Sequence, residues 1–447
     1  MINSGLNRVF NLPPFWLSFA FMALVSLPMS YVALPISAAP LGALPSIGII
    51  VFVTLIMCLA TAAIAEAIVL LPPNARPNNL RDLVTIYLGK NLGLVTGIAI
   101  SIIFFVVLVA CMISMVATLN SYTSISETIW LIILSFAVLL IISVGSIAHS
   151  LSMIAGLLAL VIMVALLVAL IPFIDLDRLS YLQLPFMAQR GIAPELWSGF
   201  LGVAILSFIG PLLLVPSATY VLPNNPKANL YIQGSLCGII FQGTLMALWI
   251  IIVEVSVIPT ELIGLHGTVF IKLGEVTDTF IKVMGTLLVF ILPGLASIRS
   301  AAQLGVQMRI FLKPSKSSNR PSSSLFWKYV VPAIPSICAF LLVGFLIEKN
   351  EADVSAFLSI GGILGSSIAT GIVPILLYQA VKRRGIIESN NFMKLFRHNI
   401  VLLLSSIFFL TVLLLYGLVV WNSIAIQLLS CLIGIASMVL LFRAFNK

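Results

Sequence analysis

Charge is what this 447-residue sequence has least of. Asp, Glu, Lys and Arg together make up 8% of it, against 61% apolar residues. A soluble domain carries roughly a quarter charged residues, so these side chains cannot cover a water-exposed surface of this size. Histidine is scarce as well. The only three, His149, His266 and His398, fall in loops or at the ends of apolar runs, which leaves no haem or metal cluster inside a helical bundle. The five cysteines (Cys58, Cys111, Cys237, Cys338, Cys431) all lie in apolar runs and form no CxxC pair, so neither a disulfide framework nor a zinc site is indicated. No Walker A motif occurs, which speaks against ATP hydrolysis. No Ser-His or Cys-His pair falls at one membrane depth, and an enzyme is not expected. The amino terminus lacks a cleavable signal pattern, because its apolar run continues into a spanning length.

What is present is a succession of long apolar runs, with a mean hydropathy of +1.20. At roughly 20 residues per span the chain holds about twelve transmembrane helices, approximately 15–37, 45–71, 92–118, 128–147, 150–172, 198–221, 232–257, 280–303, 326–346, 354–380, 399–420 and 422–444. The runs lack the period-2 alternation of a membrane barrel. The expected fold class is an all-α membrane protein, one transmembrane domain over residues 1–447. Tight corners at Ala148–His149 and Trp421–Asn422 divide the fourth span from the fifth and the eleventh from the twelfth.

Orientation follows from the basic residues. With the amino terminus in the cytoplasm, all but five of the 23 Lys and Arg (Arg178, Arg190, Lys272, Lys282 and Lys349) fall in inner segments. The positive-inside rule then places both termini in the cytoplasm of an inner-membrane protein. It also accounts for the net charge of +9 without a nucleic-acid partner. The basic, serine-rich stretch 313–325 reads as an ordinary cytoplasmic linker, with anionic-lipid contact as the alternative.

An internal repeat refines this picture. Residues 23–35 read Ala-Leu-Val-Ser-Leu-Pro-Met-Ser-Tyr-Val-Ala-Leu-Pro, and residues 204–216 read Ala-Ile-Leu-Ser-Phe-Ile-Gly-Pro-Leu-Leu-Leu-Val-Pro. Alanine, serine and the last proline recur at the same spacing, in spans one and six, which run in opposite directions. Two five-helix halves of opposed topology are expected, about 15–172 and 198–380, with accessory helices at 399–444. Pro28 and the pair Gly210-Pro211 interrupt the two spans in mid-membrane. Proline removes a backbone donor and disfavours helix before it, and such freed groups must face protein or a cavity. The substrate site is therefore expected around Ser26, Leu27, Pro28, Met29 and Ser30 of span one and Ser207, Phe208, Ile209, Gly210 and Pro211 of span six. Two unrelated proline kinks are the alternative.

The same residues carry a family likeness. Ala33-Leu34-Pro35, Ala38-Ala39, Gly42, Met57-Cys58 and Glu66 are followed by Leu88-Gly89-Lys90, Thr96-Gly97 and Val144-Gly145-Ser146. Later come Ser207 to Gly210, Val215-Pro216-Ser217 and Tyr220. In this order and spacing the chain resembles the hydroxy and aromatic amino acid permease family, the bacterial tryptophan and tyrosine transporters of the amino acid–polyamine–organocation superfamily. The resemblance is clear over about residues 20–260. It implies eleven or twelve helices, the leucine-transporter-like five-plus-five fold with discontinuous helices one and six, and proton-coupled uptake of an amino acid. Where that family has Gly-x-Gly in span one, this chain has Pro28 and Ser30.

Few charges remain for coupling. Glu66 on span two matches a glutamate position of the family and is a proton-coupling candidate, with an interfacial carboxylate or a partner of Arg76 or Arg81 as alternatives. Arg299 on span eight is the second candidate, against an arginine that snorkels toward the cytoplasm. Ser297 and Ser300 could furnish sodium ligands, although serines on apolar helices usually bond back to their own carbonyls. Glu254 on span seven reads as an outer-face carboxylate reaching water. The small residues of span ten, Gly361-Gly362, Gly365-Ser366-Ser367 and Gly371, suit close helix packing. The expected function is secondary active transport of an amino acid or similar small organic solute by alternating access. No cofactor and no obligate protein partner are expected, and only lipid surrounds the protein. A non-transporting solute receptor is the alternative.

Overall fold

The computed structural model describes residues 12–25, 29–123, 125–144, 148–175, 194–222, 228–265, 267–312, 330–383, 398–416, 418 and 423–445. Its α-helices in chain order are α1 (Pro14–Ala20), α2 (Leu34–Ala38), α3 (Ala43–Val69), α4 (Leu80–Leu88), α5 (Lys90–Tyr122), α6 (Glu127–Val144), α7 (Ala148–Leu170), α8 (Pro194–Ser207), α9 (Gly210–Val221), α10 (Ala228–Ser256), α11 (Pro259–Leu262), α12 (Val269–Val276), α13 (Thr279–Phe311), α14 (Val331–Glu348), α15 (Val354–Ile360), α16 (Val373–Arg383), α17 (Asn399–Leu415) and α18 (Ile424–Phe445). Among the described residues nine helices are long and apolar enough to cross a membrane. Three further apolar helices, Pro14–Leu24, Glu127–Ser143 and Ile400–Leu415, are shorter.

These helices are apolar all round, as lipid requires, and the outer ones show it. Leu341 of α14, Phe442 of α18 and Phe136 of α6 are each about two-thirds exposed, at 70%, 68% and 67%. Inside the bundle α13 lies along α5, α10 along α3, and the span-ten segment against α5 and α8. Small residues set the closest of these approaches. A Cβ on Gly362 would stand 1.9 Å from the Gly202 carbonyl oxygen, so α8 and span ten touch backbone to backbone. The Tyr416 hydroxyl hydrogen-bonds both the Gly202 backbone and Ser359 at this crossing. The packing expected for the small residues of span ten is what occurs. Gly361 through Ile372 form a π-helix that is buried throughout.

Polar side chains mark where helices begin. Asn79 accepts from the Asp82 N–H at 2.9 Å to start α4. Asp278 accepts from Ile281 for α13, and Asp353 from Ser355 and Ala356 for α15. Each satisfies donors that a helix start leaves free. Helix α4 lies within what reads in sequence as an inner loop. Leu80, Leu83 and Val84 are buried on one face while Arg81, Thr85 and Ile86 face outward to varying degrees. The corner expected at Ala148–His149 is instead the first turn of α7, which starts at Ala148; the corner at 421–422 and the basic stretch 313–325 lie outside the described residues.

Candidate functional site

Span one does not run as one helix. Helix α1 gives way to a π turn at Phe21–Val25, a 3-10 turn follows at Met29–Val32, and α2 completes the span. Ser26, Leu27 and Pro28 lie outside the described residues, as do the side chains of Met29 and Ser30. Span six breaks too. α8 ends at Ser207, Phe208 and Ile209 are not helical, and α9 starts at Gly210 with Pro211 in its first turn. Proline is tolerated there because that N–H has no helical acceptor. The Phe208 and Leu212 N–H groups reach the Ile205 and Ile209 carbonyls at 3.3 and 2.9 Å, tight turns that carry the chain across the gap.

The two interruptions lie together. The Met29–Val32 turn packs on α8 and on α13, and the π turn of span one packs on α9. The residues read as a site are thus placed as follows. Ser207 is buried and donates its hydroxyl to the Val203 carbonyl at 2.7 Å. Phe208 is fully buried, Gly210 and Pro211 are buried, and Ile209 is half-buried.

The sequence reading missed the residues that hold the break open. Trp249 of α10 donates its indole N–H to the Tyr31 carbonyl at 2.9 Å, and both residues are fully buried. This carbonyl sits in the turn where span one has left its α-helix. In a membrane interior such a group requires a partner, and a residue 218 positions away supplies it. The signal lay in Trp249 itself, since a buried tryptophan N–H needs an acceptor. The Tyr31 hydroxyl is also buried and makes no hydrogen bond among the described residues. Buried polar atoms without partners are rare, and this one lies on the turn between the half-helices. A matching contact steadies the inner half of span six. The Tyr231 hydroxyl donates to the Leu214 carbonyl at 2.7 Å, which Ser217 also meets at 2.8 Å.

Arg299 and Ser297 lie on α13, the helix that packs on the Met29–Val32 turn. Ser297 donates to the Pro293 carbonyl at 2.7 Å and shares a hydrogen bond with the Cys111 thiol, as expected of a serine bonding back to its own helix. The Arg299 Nη2 is buried, while the residue as a whole is half-buried. Glu66 is buried at the end of α3 (8% exposed), beside Ala67, whose carbonyl accepts from the Tyr87 hydroxyl of α4 at 2.9 Å. Glu254 departs most from its reading. It is 2% exposed rather than reaching water. A cavity of about 290 Å³ opens elsewhere, lined by Asn120, Ser121, Glu127, Gly267 and Asn350 among others. It lies at the far ends of α5 and α14 from Arg81 and the other charges near α4.

No family model and no curated protein matches the chain. Solved structures do. The chain matches the Eremococcus coleocola manganese transporter, solved in complex with an aromatic bis-isothiourea substituted compound, at TM-score 0.63 and 14% identity over 97% of this chain and 94% of that one. It also matches a Na+-coupled sialic acid symporter in a substrate-bound outward-open state, at TM-score 0.58 and 13% identity over 96% and 89%. The chain has a transporter fold. At these identities the likeness speaks for architecture, so the chain is a multi-pass helical membrane protein built as those transporters are.

Proposed function

We propose that this protein is a secondary active transporter of amino acids or related small organic solutes, driven by a proton gradient. In this reading it sits in the inner membrane with both termini in the cytoplasm. One observation carries it: two interrupted spans lie side by side at one place in a transporter fold, and a buried Tyr31 hydroxyl without a partner lies on the turn between the half-helices. Free backbone groups at half-helix ends suit the carboxylate and ammonium of a zwitterion. Alternating access would rock spans one and six against the helices around them.

The fold does not choose the cargo, since its solved examples include a manganese transporter and a sialic acid symporter. The residues favour an organic one. Residues 14–38 and 199–221, which include both interruptions, contain no Asp, Glu or His. A divalent cation stripped of water needs anionic or imidazole ligands, so an organic solute fits this pair of spans better. The likeness to hydroxy and aromatic amino acid permeases favours an amino acid and a proton.

The test is uptake by the purified protein in liposomes, with a panel of amino acids, amines and small organic acids, with and without an inward proton gradient. Saturable uptake that rises with the gradient is expected. Binding without flux for every member of the panel would overturn the transporter and leave the receptor. Uptake of manganese in preference to all organic solutes would overturn the cargo.

A further inference from the structure

The cavity of about 290 Å³ at the ends of α5 and α14 takes no wall from span one or span six. One side of it is a single face of α5, where Ile113, Val116 and Ala117 recur at helical spacing. Ile113 and Val116 are buried and form its floor, and Ile271 of α12 and Ile347 of α14 close the apolar part. A cavity of roughly 150 Å³ already takes up benzene, so this one has room for a ring and a short chain. Its walls are fastened to one another. The Thr118 and Thr268 hydroxyls, both fully buried, meet at 3.1 Å, and the Tyr122 hydroxyl donates to the Phe270 carbonyl at 3.3 Å. These two contacts tie α5 to the start of α12. The Trp130 indole N–H donates to the Thr123 hydroxyl at 2.9 Å and ties α6 to the end of α5. A hollow held in this way is preorganised for a ligand.

Polar groups gather at the mouth. Glu127, half-buried in the first turn of α6, accepts from the Asn120 side-chain amide at 3.0 Å. A helix start favours the ionised form of a carboxylate. That hydrogen bond occupies Oε1, and among the described residues no cation pairs with Glu127. The lysines nearby are engaged elsewhere. Lys272 meets Glu261 and Glu275 at 3.4 and 2.9 Å, Lys282 lies 4.5 Å from the Tyr122 ring centre, and Lys349 lies 5.9 Å from that of Phe345. Asn350 follows α14 with a left-handed backbone, φ +55°, which asparagine tolerates. Its side-chain amide and the Asn120 carbonyl oxygen make no hydrogen bond among the described residues. One anion and two amide acceptors thus stand over an apolar floor. An ammonium group has three N–H donors and no acceptor, and an apolar pocket with a few convergent polar groups is what orients a small ligand.

We propose that this cavity binds an organic cation, a primary ammonium group on an apolar body about the size of a benzene ring. The ammonium meets the Glu127 carboxylate, and its remaining N–H groups meet the Asn120 and Asn350 carbonyl oxygens. The apolar body rests against Ile113, Val116 and Ile347. The site is independent of the transport reading, since no residue of either interrupted span lines it.

The experiment titrates the purified full-length protein in detergent with benzylamine, benzyl alcohol and phenylacetate, read by calorimetry against a micelle blank. The three probes share an apolar body and differ in the charge at its end. Benzylamine should bind saturably, once per chain. Benzyl alcohol should bind about tenfold more weakly or worse, because a hydrogen bond to a charged group is lost, and phenylacetate should not bind. Glu127→Gln should weaken benzylamine by about tenfold and leave benzyl alcohol as it was, while Glu127→Asp keeps part of the preference. Ala352→Leu and, from the opposite wall, Ser121→Leu fill the cavity and should remove binding of both probes. Trp249→Phe, at the break in span one, should bind benzylamine as wild type does. Failure of benzylamine to bind, or equal affinity for benzyl alcohol or phenylacetate, would overturn the proposal. So would benzylamine binding that survives Glu127→Gln and both cavity-filling variants, or that is lost only in Trp249→Phe.

Discussion

Replacing Trp249 by Phe isolates the contact that holds span one unwound. The substitution keeps an aromatic ring against Phe270, whose centroid lies 5.6 Å from that of Trp249, but removes the indole N–H that meets the Tyr31 carbonyl at 2.9 Å. Both partners are fully buried, so water cannot take the donor's place. An acceptor stranded in this way costs about 1–3 kcal/mol, and the smaller ring adds a void at a further cost of order 1 kcal/mol. A total of about 2–4 kcal/mol falls on the conformation with the 29–32 turn. At 1.4 kcal/mol per tenfold that conformation loses roughly 30-fold or more in population relative to any in which the carbonyl finds another partner. Because the turn belongs to the proposed site, solute affinity should weaken by a comparable factor, and the thermal midpoint in detergent should fall. Calorimetry of solute binding and a thermal-shift assay on the two proteins give both numbers. Unchanged affinity together with an unchanged midpoint in Trp249→Phe would refute the reasoning, for the indole would then hold nothing that matters to the fold or the site.

Four further outcomes are expected. Gly362→Ala sets a Cβ 1.9 Å from the Gly202 carbonyl oxygen, so α8 and the span-ten π-helix must part at a cost of about 1–3 kcal/mol or more. Gly344→Ala, whose Cβ would meet only Leu131 at 3.5 Å, should leave the thermal midpoint unchanged. Asp353→Ala removes the carboxylate that accepts from the Ser355 and Ala356 N–H groups at 2.8 and 3.3 Å, and should lower stability by about 1 kcal/mol in a denaturation series, with Asp353→Asn largely restoring it. On α12, the hydrogen bond from Lys272 to Glu275 at 2.9 Å holds the ammonium above the usual lysine value of 10.5. A raised value means the pair's contribution is in place at neutral pH and is lost only as the pH climbs beyond that value. Lys272→Met should therefore show its small effect only at low salt and neutral pH, as a comparison of melting curves across ionic strength would read.

Much of the architecture was legible because lipid imposes a simple code. Long runs without charge must be helices, and their ends fell within a few residues of α3, α5 and α10, while α13 runs eight residues beyond the expected end at 303. The break in span six was legible for a local reason: Gly210-Pro211 cannot continue a helix from the residue before. Helix α4 was not picked out, because its nine residues are too short to span and its apolar face shows only against α5. Among candidate site residues, Ser207 and Pro211 stand where span six is interrupted. Arg299 could not be told from a snorkelling arginine, since exposure depends on which helices surround α13.

The contrast is sharpest at Trp249 and Glu254. In sequence one is an aromatic residue in an apolar run and the other an acid near the end of a span. The first acquires its meaning from a residue about two hundred positions earlier, through the carbonyl of Tyr31, and the second from the packing that leaves it 2% exposed. Composition and breakers determined that this chain crosses a membrane many times and that two of its helices are interrupted, because those outcomes follow from backbone hydrogen bonding within a single segment. Which side chains complete the interrupted backbone was decided only by the tertiary fold. A freed carbonyl or N–H in a dry interior accepts whatever partner packing brings within 3 Å or so, and no local pattern records that choice.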